Sequence, residues 1–253
     1  MEIVGRGFVA RNLSGVAHRH PHALVLAAGV SSTSVLSREM FSREADLVLD
    51  ALDRCRRAGS TLVFFSSASH AMYGTTTTHP APEDVPTTTD SPYGNHKRRM
   101  EALVRDSGVP WLVLRMSHAI GRWQREHQLL PNFVKQIGSG TVKLHEGTYR
   151  DLVDVLDVVH AVDALLDLGV RDEVVNVASG TPRPVADLAR AMAHRMGATP
   201  VYQVVRVPPV RTLVSVDKLC DLVPALGRVR EPGYVEDMLD RYIGHYWPTP
   251  APA

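Results

Sequence analysis

Short apolar runs separated by longer amphipathic stretches constrain this chain more than any other feature. Residues 23–28 (Ala-Leu-Val-Leu-Ala-Ala) are apolar without interruption between Pro21 and Gly29. A strand covered on one face alternates apolar and polar residues, whereas an unbroken run of this length fits a strand buried on both faces, as in a parallel sheet. Residues 61–65 (Thr-Leu-Val-Phe-Phe), 111–114 and 173–177 repeat the pattern, and residues 3–4 give a shorter version. Helices lie between them. In 37–58, Phe41, Ala45, Val48, Leu49 and Leu52 recur at three- and four-residue spacing, and Gly59 supplies the stop. Ser91-Pro92 puts an N-cap serine before a proline at the first helical position and opens a helix to about residue 107. Residues 184–196 are also amphipathic, and 74–91, with Pro80, Pro82, Pro86 and a threonine run, is an extended polar loop. This alternation predicts an α/β fold with a mainly parallel sheet. Beyond residue 118 the regularity fades. The expected organisation is a core over 1–117 and a smaller substrate-binding part over 118–253, with 173–180 returning to the core sheet.

Composition narrows the function classes. With 253 residues and a net charge of +1, the chain can bury a sizeable core but offers no broad basic surface for nucleic acid. Its apolar runs are too short to span a bilayer, and its first residues lack a signal-peptide layout, so a cytoplasmic protein is expected. Cys55 and Cys220 stand far apart, without metal-type spacing. His18, His20 and His22 alternate around Pro21, with no cysteine or carboxylate beside them, and no metal site is expected.

Three features carry chemistry. Gly5-x-Gly7-x-x-Ala10 lies between the first strand and first helix, where backbone amides can hold a diphosphate; the same glycines also make an ordinary tight turn. Ser66, Ser67 and Ser69 follow the 61–65 strand, where the carboxyl ends of parallel strands line a ligand crevice; serines there also serve as helix caps. Tyr93 and Lys97 are four apart, on one helix face. An ammonium near a phenol stabilises the phenolate and makes tyrosine a usable proton donor or acceptor. The chain has only four lysines against 24 arginines, so a lysine at this spacing stands out from a chance surface pair.

In order along the chain, these segments resemble the extended short-chain dehydrogenase/reductase family, in its NAD-dependent epimerase/dehydratase branch. Residues 25–29 resemble its His-x-Ala-Ala strand end, and 65–74 its Ser-Ser-x-x-Val-Tyr-Gly segment. Residues 91–97 (Ser-Pro-Tyr-Gly-Asn-His-Lys) resemble its Tyr-x-x-x-Lys helix. Leu114-Arg115 through Gly121 resembles its Leu-Arg-x-x-Asn-x-x-Gly element, with His118 in the asparagine place. Residues 150–158 and 176–180 resemble its Arg-Asp-Phe and Tyr-Asn-x-Gly segments. The resemblance implies that Tyr93 is the general acid/base, that Lys97 tunes it and holds the nicotinamide ribose, and that Ser69 binds the substrate oxygen, with Ser67 a rival for that role. Gly5, Arg6, Gly7, Phe8, Val9, Ala27, Ala28 and Lys97 would hold an NAD(P) cofactor. Ser67, His118 and Arg150 would face the substrate. A homodimer through helices 37–58 and 92–107 is implied as well.

The chain departs from the family in one place. The family has two further strands between the glycine turn and the Ala-Ala strand, but only 18 residues separate Gly5 from Leu24. The expected fold is a Rossmann-like sheet lacking two strands of its first half. Either the first helix changes face, or 14–22 wraps back to keep it in place. The acid that usually reads the adenosine ribose is missing with those strands. Arg6 or Arg11 could grip a 2′-phosphate, which tilts the expectation toward NADP. The leading reading is an NAD(P)-dependent oxidoreductase or epimerase acting on a hydroxyl or ketone carbon of a nucleotide sugar or related metabolite. The alternatives are a cofactor-independent proton-transfer enzyme on the same scaffold, and a non-enzymatic sensor.

Overall fold

A computed structural model describes residues 1–30, 37–75, 78–87 and 90–247. In chain order, β1 (Glu2–Val4) leads through the glycine turn into α1 (Phe8–Leu13), which continues directly as a 3-10 helix, Ser14–Arg19. Then come β2 (Ala23–Leu26), α2 (Arg38–Ala58), β3 (Thr61–Ser67), α3 (His70–Tyr73), α4 (Pro92–Arg105) and β4 (Trp111–Met116). The second half runs β5 (His118–Ile120), α5 (Leu129–Gly138), β6 (Thr141–Arg150), β7 (Leu152–Asp154), α6 (Val155–Asp167) and β8 (Glu173–Val177). It ends with β9 (Arg183–Pro184), α7 (Val185–Arg195), β10 (Val201–Val210), α8 (Asp217–Leu222) and α9 (Tyr234–Tyr242).

The apolar runs pair as their composition requires. β1, β2, β3, β4 and β8 form one parallel sheet in that order, with Val25 opposite Ile3 and Val63, and Leu114 opposite Phe65 and Val175. Both faces are covered. Leu24, Leu26, Leu62, Phe64 and Val113 pack under α2 and α4 through Val48, Leu52, Met100 and Val104. Val25, Val63, Leu112, Leu114 and Val175 pack on the opposite face against Phe8 and Leu13 of α1 and Val158, Val162 and Leu165 of α6. Sequence-encoded stops fix the helix ends. Ser37 accepts from the Met40 amide, Gly59 closes α2 with φ +61°, and Ser91 accepts from the Gly94 amide ahead of Pro92.

The shortened segment resolves as a wrap. β1 to β2 and β2 to β3 step the same way across the sheet, yet α1 and α2 lie on opposite faces, so the two crossovers have opposite hands. Right-handed crossovers are the rule, and a left-handed one needs a reason. Here the residues after α1 supply it. They form a 3-10 helix, not the loop expected, and this helix is tied to α6. Arg19 bridges Asp163 and Asp167, and His20 Nε2 lies 2.7 Å from Asp163 Oδ1. Among the described residues, the close grouping of metal-type side chains, His20, Asp163 and Asp167, is thus engaged by a guanidinium.

Several strands differ from the sequence reading: β2 stops at Leu26 rather than at residue 28, and β4 runs on to Met116. β3 runs two residues further than 61–65, so Ser66 and Ser67 sit on the strand, opposite Arg115 and Met116, rather than after it. The region that looked irregular contains two ten-residue strands, β6 and β10, paired in parallel, with β9 antiparallel on the other side of β6. β10 is mostly exposed, so it lacks the continuous apolar signature of a core strand. The threonine-rich loop lies partly outside the described residues, at 76–77 and 88–89. Among the described residues, no helix is long and apolar enough to cross a membrane.

Candidate active site

The carboxyl ends of β1 to β4 open into a cleft of about 1490 Å³. Pockets for single small ligands run to roughly 300–1,000 Å³, so this one has room for more than one small molecule. Of the residues given a role from the sequence, Gly5, Arg6, Gly7, Phe8, Val9, Ala27, Ala28, Ser67, Ser69, Tyr93, Lys97, His118 and Arg150 line it. His127 lines it too, whereas Arg11 is not among the lining residues.

The glycine turn is dictated by close approach. Gly5 has φ +142°, and a Cβ there would lie 2.6 Å from the Ala27 carbonyl oxygen. β1 and β2 can come together in this register only because that position has no side chain. Gly7 is the N-cap of α1, with no side-chain cap in the way. The turn therefore presents its backbone to the cleft beside Ala27 and Ala28.

The serines form a pair. Ser67 Oγ donates to Ser69 Oγ at 2.9 Å, and Ser69 also accepts from the Ala71 amide as the N-cap of α3. Ser69 thus caps α3 while lining the cleft, and the two serines that compete for the substrate-oxygen role are hydrogen-bonded neighbours. Ser66 Oγ, buried at the cleft wall, has no partner among the described residues.

Tyr93 and Lys97 occupy the first turns of α4, both buried, with Lys97 Nζ 5.9 Å from the Tyr93 ring centre. The sequence reading missed what faces them. Glu44 of α2 reaches in between the elements and is only 2% exposed. Its Oε1 accepts from Lys97 Nζ at 2.6 Å; its Oε2 accepts from the Val30 amide at 3.1 Å and lies 2.9 Å from His96 Nε2. Burial works against this carboxylate, but the Lys97 charge and the bonds from His96, Lys97 and Val30 hold its pKa below the ordinary value. Burial likewise works against the ammonium, but Tyr93 and then Glu44 hold Lys97 above the ordinary lysine value. The signal was present in the sequence: Glu44 falls four residues before Val48, on the stripe that α2 buries.

At the far end of the cleft, His118 sits at the start of β5, its amide bonded to the Asp151 carbonyl at 3.0 Å. Burial, then the charges of Arg150 and His70, push its imidazole down to about 3, so it is neutral near pH 7. Asp151, between Arg150 and β7, pins the end of β8 by accepting from Ser179 N at 2.8 Å and Ser179 Oγ at 3.1 Å. Among the described residues lining the cleft, Glu44 is the only acid, against Arg6, Arg43, Lys97, Arg125, Lys143 and Arg150. Such a lining favours an anionic ligand.

A Rossmann-like sheet with a glycine turn, a serine pair and a Tyr-x-x-x-Lys helix around one crevice defines a class of dinucleotide-fold enzymes. A sequence model of the NAD dependent epimerase/dehydratase family matches residues 10–178. The chain belongs to that family. It is 27% identical over 159 residues to a putative UDP-glucose 4-epimerase of Methanocaldococcus jannaschii, a match covering 59% of this chain and 52% of that protein. The chain therefore matches about half the length of that relative. Its fold is also that of RMD from Pseudomonas aeruginosa, solved with NADPH: TM-score 0.81, 20% identity, 98% of each chain covered. The Thermus thermophilus UDP-glucose 4-epimerase, solved with NAD, superposes with TM-score 0.74 at 23% identity, over 94% of this chain and 82% of that one.

Proposed function

We propose that this protein is an NAD(P)-dependent oxidoreductase or epimerase acting on a hydroxyl or ketone carbon of a nucleotide sugar or a related small metabolite. The observation that carries the reading is the convergence of Tyr93, Lys97, Ser67 and Ser69 on the cleft that the glycine turn also lines. Tyr93 moves the proton of the substrate oxygen, and Ser69, or its neighbour Ser67, hydrogen-bonds that oxygen. Lys97 places a fixed positive charge beside the phenol. Arg150 and the neutral His118 bind the substrate, Arg150 as a partner for its phosphates or other acidic groups.

The residues present fit a nicotinamide dinucleotide. The backbone at Gly5 and Gly7 is open to a diphosphate; among the described residues, Ser66 Oγ is an unused buried polar group, and Lys97 retains one donor after Glu44 and the Phe65 carbonyl take two. When bound, the nicotinamide ring exchanges a hydride with the substrate carbon. Arg6, exposed at the turn in a cleft with no acid at that end among the described residues, favours NADP. The alternative in which the cofactor has been dispensed with finds no support. The two solved neighbours described above are complexes with NADPH and NAD, and the retained parts of the turn suit such a ligand.

Cys55 and Cys220 are free thiols, which fits a reducing compartment such as the cytoplasm. The outer faces of α2 and α4 leave Leu49 and Leu103 exposed, and a second copy would dock there as a homodimer. Light scattering then gives twice the mass of the chain.

The decisive experiment is Tyr93→Phe against a panel of UDP- and dTDP-linked hexoses with NAD(H) and NADP(H). Turnover should fall by about 10²–10⁴-fold, the usual worth of a general acid/base, while the fold and dinucleotide binding persist. An unchanged rate overturns the assignment.

A further inference from the structure

We propose that Glu44 is a positioning residue of this site: its carboxylate locks the Lys97 ammonium in place and offsets part of the help that Lys97 gives the Tyr93 phenolate. This rests on the reading of Tyr93 as the proton-transfer group.

Three segments are shaped around this one carboxylate. α2 brings it in from the apolar stripe shared with Val48 and Leu52, α4 supplies Lys97 and His96, and the chain after β2 supplies the Val30 amide. Gly29 makes room: a Cβ there would lie 2.3 Å from Glu44 Oε1. His96 is in turn held by stacking on Phe41, with ring centres 4.5 Å apart. A buried ion pair is a weak device for stability, since well-packed apolar residues do as well. The arrangement is better explained by what it does to Lys97.

An ammonium has three donors. Glu44 Oε1 takes one at 2.6 Å and the Phe65 carbonyl another at 3.3 Å, which fixes the direction of the third. The negative charge also matters. Lys97 alone would favour the phenolate; Lys97 paired with Glu44 is close to neutral as a unit, so less of the ammonium's charge acts on the Tyr93 oxygen. Glu101 on α4, neutralised by Arg115 of β4, also acts on Lys97, while Arg43 on α2 and Arg150 of β6 line the same cleft with the neutral His118 of β5.

The test reads Tyr93 directly and needs no substrate. The chain is labelled with ¹³Cζ-tyrosine and titrated by NMR, and the Tyr93 signal is identified as the one lost in Tyr93→Phe. In Glu44→Gln, with the fold checked by thermal melting, the Tyr93 ionisation should move to lower pH by about one unit, the scale set by a single nearby charge. An ionisation that stays in place, or moves up, overturns the proposal. Should Glu44→Gln not fold, Glu44→Asp is titrated instead. Withdrawing the charge by one methylene moves the ionisation down by less, and no movement overturns the proposal. Failure of the underlying function shows separately, as turnover that survives Tyr93→Phe in the otherwise unchanged chain.

Discussion

Arg115 of β4 holds Glu101 of α4 through two hydrogen bonds, Nε to Oε1 at 3.0 Å and Nη2 to Oε2 at 2.8 Å. Both residues are buried, at 3% and 0% exposure. The same guanidinium donates to the Tyr73 hydroxyl and to the Glu83 carbonyl, each at 2.9 Å. Burial works against the Arg115 charge, but the hydrogen bonds and charge of Glu101 hold its pKa above the ordinary arginine value. One side chain thus ties the sheet, α3, α4 and the 78–87 segment together behind the site.

Removing one member of this pair leaves the other charged and buried. Glu101→Ala should destabilise the protein by roughly 3–5 kcal/mol, the usual cost of an orphaned buried charge. Denaturant unfolding at constant pH measures it. A loss below about 1 kcal/mol, the range of a surface pair, would mean that water reaches Arg115.

The His118 imidazole makes stability depend on pH. Its folded value is about 3, against 6.5 ordinarily. Between those two values the unfolded chain binds more protons than the folded one. The contribution is therefore complete above pH 6.5 and is lost as the pH falls toward 3. His118→Asn removes this component. From about pH 7 to about pH 5 the parent should lose about 1–2 kcal/mol more stability than the variant, as read by urea unfolding at each pH. Parallel losses in the two proteins would show that His118 is free to protonate in the folded state.

Arg6 is the candidate reader of the cofactor's adenosine end. Arg6→Gln should weaken NADPH binding by about tenfold, the scale of one charge-assisted hydrogen bond, and leave NADH binding nearly unchanged. Fluorescence titration with both dinucleotides checks it. Equal weakening of the two would place Arg6 at the diphosphate that they share.

Much of this architecture was legible from local pattern. The unbroken apolar runs identified β2, β3, β4 and β8, because a strand covered on both faces must be apolar on both. Ser37, Gly59 and Ser91-Pro92 marked helix ends, because caps are satisfied by residues within a few positions. Tyr93 and Lys97 were found because four residues make one helical turn. β6 and β10 were not found: their pairing joins residues some sixty apart, and β10 is largely exposed. The lengths of β1, β2, β3 and β4 were misjudged for a related reason. The neighbouring strand decides how far a strand continues, and for β3 that neighbour is Arg115 and Met116 opposite Ser66 and Ser67.

The sequence by itself determined the α/β class, the order of the strands along the chain and the position of the Tyr-x-x-x-Lys turn, all of which follow from short-range periodicity. Only the tertiary structure decided which face α1 occupies, that Ser67 and Ser69 are hydrogen-bonded partners, and that Glu44 meets Lys97. The last pairing joins residues 53 positions apart across two helices. No periodicity encodes such a meeting. It exists because α2 and α4 pack side by side on one sheet face, with Gly29 leaving room for the carboxylate between them.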